Sequence, residues 1–150
     1  FSLPMNITDN FTLEEMCNSH TARINGVDNF SYDPLIIISL TTLCLKVLQP
    51  LRDHFAEPVR ISSGYRCHAL NKLVGGVYNS QHILGQAADI YLDGDTKREA
   101  EYFRYIRDNL DYDQLILEGN QSTSWIHVSY VSHKINRRKA WMQLQKTNGA

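Results

Sequence analysis

"SQHILGQAADI", Ser80 to Ile90, places a histidine seven positions before an aspartate. The residues between them are small or apolar, apart from Gln86. That interval has two readings. An imidazole and a carboxylate can converge on one metal ion, or they can be two unrelated polar residues at a loop. Gly85 and the alanines let the backbone turn tightly and then enter a buried strand, "AADIYL" (Ala87 to Leu92), with Asp89 near its start. Spacing alone leaves both readings open, because His-x6-Asp is a weak pattern.

Outward from that strand, Asp93-Gly94 turns the chain. Thr96 and Glu99 have the spacing of a capping box, and Phe103, Ile106 and Leu110 line one face of the helix it would open. "QLILE" (Gln114 to Glu118) and "WIHVSY" (Trp125 to Tyr130) read as strands joined by a polar loop, a hairpin. "INRRKAWMQLQ" fits strand or helix equally. Upstream, "VRISSG" (Val59 to Gly64) reads as a short strand running into a turn. Thr12 with Glu15 predicts a short capped helix. Asp33-Pro34 predicts a longer one, with a cap and then proline at the first helical position. That helix is expected to be largely buried, with Leu35, Ile38, Leu45 and Leu48 among its apolar residues, and to end or kink at Pro50. Helices before and between strands, with an antiparallel final pair, make the class α+β: a small antiparallel sheet packed by helices.

The bulk numbers allow one domain over residues 1–150, and Met5 is a candidate initiator with residues 1–4 an added remnant ahead of it. A formal net charge of -1 gives no basic field for nucleic acid and no polybasic motif for a membrane surface. The apolar run Leu35 to Ile38 is too short to span a bilayer, so membrane insertion is not expected. Cys17, Cys44 and Cys67 are odd in number and widely spaced, which reads as free thiols and excludes a four-cysteine zinc site.

Among six histidines, His82 and His127 stand apart. His127 sits mid-strand between Ile126 and Val128, and alternation puts it on one face with Trp125 and Ser129. A buried imidazole needs a partner for each ring nitrogen, or a metal. Two histidines and a carboxylate make a three-ligand set that leaves a fourth position open, as a catalytic zinc site requires.

"SSGYRCHALNKLVGG" (Ser62 to Gly76), "SQHILGQAADI" and "WIHVSY", in that order, resemble the zinc D-Ala-D-Ala carboxypeptidase family and its phage endolysin relatives, which share a core fold with the hedgehog signalling domain. "FTLEEM" near the start is similar too. The resemblance runs from about Val59 to Tyr130. It implies that His82, Asp89 and His127 ligate Zn2+, and that Arg66 of "SGYR" is the cation facing the substrate. The implied activity is hydrolysis of peptide bonds in bacterial peptidoglycan, with D-Ala-D-Ala, L-Ala-D-Glu and diamino-acid bonds all open. Arg66 fits the part physically: a guanidinium can give two parallel hydrogen bonds to a carbonyl or carboxylate and stabilise an oxyanion. Ser80 is a candidate substrate contact or turn residue. Ser63 is not in a nucleophile elbow.

Some relatives carry a glutamate three residues before the last histidine; this sequence has Ser124 there. The candidate general base is therefore Glu118. If Glu118 pairs across the hairpin with Trp125, it shares a face with His127, at a diagonal distance of roughly 7 Å. A one-residue slip would turn it away. His133 is the reserve candidate. The rival classes are a zinc-binding module of hedgehog type that does no hydrolysis, and an unmetallated adaptor in which His127 is satisfied by protein groups alone. A monomer is expected, made in the cytoplasm without an export signal and reaching the cell wall after release, as a phage or prophage lysin does.

Overall fold

The computed structural model describes residues 5–144, so residues 1–4 fall outside it. A two-residue pairing of β1 (Asn6–Thr8) with β2 (Phe11–Thr12) leads into α1 (Leu13–Cys17) and α2 (His20–Ile24). Thr12 Oγ1 accepts from Glu15 N at 3.1 Å, the cap the sequence predicts. Then α3 (Pro34–Leu43), a π-helical turn (Cys44–Leu48) and α4 (Gln49–Phe55) run on as one helical segment. Asp33 caps it through Leu35 N at 2.9 Å.

Two expectations about that segment need correction. Pro50 does not end it, because the π turn just before it carries Gln49 N to Cys44 O, and the ladder absorbs the missing donor. The buried stripe is also different. Leu48 is buried, but Leu35, Ile38 and Leu45 are 72%, 55% and 56% exposed. The inner face is Leu40, Leu43, Cys44, Val47, Leu48 and Leu51, all fully buried. The stretch is apolar nearly all round, so its period could not choose a face. By length and composition Pro34–Phe55 would also suffice to cross a bilayer; here its inner face is the core of the domain.

The main sheet has the order β3-β4-β6-β5-β7: β3 (Arg60–Ser63), β4 (Ala87–Tyr91), β6 (Ser124–Ser129), β5 (Gln114–Gly119) and β7 (Lys139–Leu144). Its first four strands pair antiparallel. β7 joins β5 in parallel, so the Lys139–Leu144 part of the ambiguous "INRRKAWMQLQ" is an edge strand. Between β3 and β4 lie α5 (His68–Leu73) and a single 3-10 turn (Gln81–Leu84). Helix α6 (Thr96–Asn109) is capped by Asp95, whose Oδ1 accepts from Arg98 N at 3.0 Å, one residue earlier than the Thr96/Glu99 box predicts. Glu99 is buried instead and accepts from Ser124 Oγ at 2.8 Å.

Strand alternation gives the sheet two unlike faces. Ala88, Ile90, Leu115, Ile126 and Val128 point under the helices and pack with Leu40, Leu43, Val47, Tyr102 and Ile106. Each fully buried Leu, Ile or Val among these stabilises the fold by about 1.5–3 kcal/mol. The residues between them, Asp89, Ile116, Glu118, Trp125 and His127, line an open cleft on the other face. The architecture is the α+β one expected.

Candidate active site

The sheet register builds the site. Ser63 lies opposite Asp89, Asp89 opposite His127, and His127 opposite Ile116. One row across three strand pairs therefore carries two of the candidate ligands. Glu118 pairs with Trp125, the register assumed from the sequence, so it stands diagonal to His127 on the same face. Ser124 faces the helix layer, where it bonds Glu99.

His82 reaches the row from the 3-10 turn. Ser80 Oγ caps that turn by accepting from His82 N at 3.2 Å. Gly85 closes it at φ +71, and a Cβ there would also stand 3.0 Å from Ile36 O. Only glycine meets both demands, and the chain can then drop into β4 within two residues. Gly64 O lies 2.7 Å from His82 Nδ1. A carbonyl can only accept, so Nδ1 carries the proton and Nε2 presents its lone pair.

That lone pair has no hydrogen-bond partner among the described residues. It lies 3.4 Å from Asp89 Oδ1, and His127 Nδ1 lies 3.0 Å from the same oxygen. A bare lone pair facing a carboxylate is repulsive unless a cation stands between them. The ligand atoms of His82, Asp89 and His127 all fall within 4.8 Å of one another. Donors arranged tetrahedrally at ~2.0–2.1 Å from a zinc ion stand roughly 3.4 Å apart. The three residues thus fit a small divalent cation closely. Burial alone would push the Asp89 carboxyl up, but His82 and His127 overcome this and hold it well below the usual carboxylate range. It is ionised, as a ligand must be.

Arg66 borders this group. Its Nη2 lies 3.6 Å from Asp89 Oδ2, its Nε donates to Ser63 Oγ at 3.1 Å, and its Nη1 donates to Asn71 Oδ1 at 3.0 Å. Asn71 is itself buried and donates to Val77 O at 2.9 Å. Burial pulls the guanidinium down while Asp89 and Glu118 push it back, and it stays charged. Burial raises the Glu118 carboxyl above its ordinary value; the Asp89 charge adds to this, and His127, His82 and Arg66 oppose it without cancelling it.

The cleft encloses about 520 Å³. It brings together every site residue singled out from the sequence: Arg66, Ser80, His82, Asp89, Glu118 and His127. His133, the reserve base, is exposed and is not among the lining residues. Three supports escaped the sequence reading. Asn71 holds Arg66, Gly76 leaves the room in which they meet, and "NKLVGG" within the quoted motif was the only hint of them. Asp113 is fully buried, accepts from Gln81 Nε2 at 2.9 Å and from Arg137 Nη2 at 2.6 Å, and ties the 3-10 turn to the far wall.

A family model described as Peptidase M15 matches residues 9–129. No curated protein matches the chain.

Proposed function

We propose that this chain, which belongs to the peptidase M15 family, is a zinc metallopeptidase that cuts peptide bonds in the stem peptides or cross-links of bacterial peptidoglycan. The observation that carries the zinc reading is the His82 Nε2 lone pair, buried and aimed at an ionised carboxylate that His127 also faces. His82, Asp89 and His127 would hold the ion. Zinc there supplies Lewis acidity, easing the ionisation of water and polarising a carbonyl.

The chain's own residues supply the rest. Arg66 is fixed on three sides and faces the cleft, so it can hold the substrate carbonyl and stabilise the oxygen as it becomes anionic. Glu118, with its carboxyl raised by burial, takes a proton from the attacking water. It then gives that proton to the amine nitrogen as the C–N bond breaks. Ser80 sets His82 by capping its turn and offers its hydroxyl at the cleft wall. A substrate in the cell wall implies action after release from the cell, as for a phage lysin working as a monomer.

A binding module without hydrolysis would keep the three ligands, but it has no use for a raised carboxyl and a fixed cation in the same cleft. An unmetallated adaptor would leave His82 Nε2 orphaned. Incubating the zinc-loaded chain with purified peptidoglycan and weighing the released fragments tests the proposal. New amino termini in the stem peptides are expected, and intact peptidoglycan with a folded, zinc-loaded protein would refute it.

A further inference from the structure

Arg137 stands on the cleft wall, beyond the residues the family model matches. Its anchoring is unusual for a half-exposed arginine. Asp113, with a side chain only 1% exposed, receives Arg137 N at 2.9 Å, Arg137 Nε at 3.1 Å and Arg137 Nη2 at 2.6 Å. Asp113 also receives Gln81 Nε2 at 2.9 Å, so its acceptor sites are well filled. The guanidinium is therefore gripped along its Nε–Nη2 edge. The Arg137 side chain is 45% exposed, and its Nη1 has no acceptor among the described residues. A guanidinium offers five donors in a planar fork, so an edge-on pair leaves its far end able to take a second oxyanion.

From this geometry we infer that Arg137 is a preformed carboxylate subsite of the cleft, which selects peptides carrying a carboxylate on the side of the metal group away from Arg66. The inference rests on the peptidase reading for the identity of the ligand, and the anchoring for the site itself. Asp113 removes the flexibility that makes a surface arginine a poor binder, because the fork is held in place before the ligand arrives. Gln81, bound to the same Asp113 carboxylate through its Nε2, braces the anchor, and Gln114 lines the cleft with them. Asp113 keeps the empty subsite near neutral, so a ligand carboxylate meets one positive fork without a net cationic patch that would attract any polyanion. Peptidoglycan stem peptides carry such carboxylates along the backbone and at the free end.

The test uses the stem pentapeptide L-Ala-γ-D-Glu-L-Lys-D-Ala-D-Ala and two analogues, each with one carboxylate replaced by carboxamide. Affinities for the full zinc-loaded chain carrying Glu118→Gln are measured by titration calorimetry. The Arg137 Nε–Hε signal is followed by NMR in parallel. One amide analogue is expected to bind about 10-fold or more weakly, the usual scale of a hydrogen bond to a charged group. Only peptides that keep that carboxylate should move the Arg137 signal. In Asp113→Asn/Arg137→Gln, which removes both charges together and leaves no buried carboxylate unpaired, the ratio of acid to amide affinity should fall to within twofold. A ratio unchanged in a folded double variant would overturn the inference, and so would an Arg137 signal that ignores the peptide. If the double variant does not fold, the NMR arm on the Glu118→Gln chain still decides. Loss of peptidoglycan cleavage by the parent chain, with the acid preference intact, would sink the peptidase reading and leave the subsite standing.

Discussion

Gly75 and Gly76 are adjacent, and the structure assigns them opposite tasks. Gly75 has φ +71, yet a Cβ there would meet nothing within 4 Å. At Gly76 a Cβ would stand 2.1 Å from Asn71 Oδ1 and 2.9 Å from Arg66 Nη1. Asn71 cannot yield easily. It is buried, its Nδ2 is tied to Val77 O, and its main-chain O accepts from Gly76 N at 2.9 Å, which fixes the backbone that carries it. In Gly76→Ala the Asn71 side chain must leave its place, and Arg66 loses the acceptor that sets its Nη1. A displacement of order 1 Å at a positioned group costs ~10²-fold in rate. The expectation is therefore a kcat reduced ~30- to 100-fold, with zinc content unchanged because no ligand is touched. Gly75→Ala should instead cost about 1–2 kcal/mol from left-handed backbone strain and lower Tm by about 2–8 °C, with kcat within twofold. Steady-state kinetics, elemental analysis and thermal melts on the two variants make the comparison. A folded Gly76→Ala with near-parental kcat would show that Arg66 does not depend on this clamp.

Four further outcomes follow from the same geometry. His127→Ala should lose stoichiometric zinc by elemental analysis of metal-replete protein; equal zinc in variant and parent removes His127 from the site. Arg66→Ala should keep its zinc and lose ~10²–10³ in rate, as removal of an oxyanion donor does, whereas a variant that unfolds would make Arg66 a structural ion pair. Glu118→Gln should bind zinc normally and lose ~10²–10⁴ in rate; activity surviving there but lost in His133→Ala would move the proton role to the exposed loop. Arg137, with burial opposing it, holds the Asp113 carboxyl down at about 2, against about 3.9 in an unfolded chain, which contributes on the order of 2–3 kcal/mol to stability at neutral pH. A depressed carboxyl stabilises above its unfolded value and loses that contribution as pH falls through its folded one, so the Tm gap between parent and Asp113→Asn should shrink from pH 4 to pH 2; a constant gap would refute it.

How much of this was legible before the structure depends on the range of each interaction. The strands were, because alternation is a local property: His127 between Ile126 and Val128 could face only one way once those two were in the core. The hairpin was legible too, but its Glu118–Trp125 register was only a supposition until the pairing was seen, because a slip by one residue keeps the same alternation within each strand. Local ambiguity explains the misses. Asp95 and Thr96 are both good caps one residue apart, and the choice fell to Asp95 when Glu99 turned inward to Ser124. Between Pro34 and Leu48 only Ser39, Thr41, Thr42 and Lys46 interrupt the apolar residues, so packing against the sheet selected the buried face and the π turn rotated it.

The supports of the site were hidden for a different reason. Asp113 and Arg137 are 24 residues apart, and Gln81 and Asp113 are 32 apart. Neither pairing leaves a periodic or spacing signal. The first exists because β7 returns to lie parallel to β5, which brings the 130–138 segment back to Asp113 before the strand begins. That return is a topological event beyond the reach of the family model, which stops at residue 129. The metal group and Arg66 lie inside the matched region and Arg137 lies outside it. The family match therefore bears on the metal group and Arg66, while the case for Arg137 rests on its Asp113 anchor in the cleft wall, which is why that side chain is tested by binding as well as by cleavage.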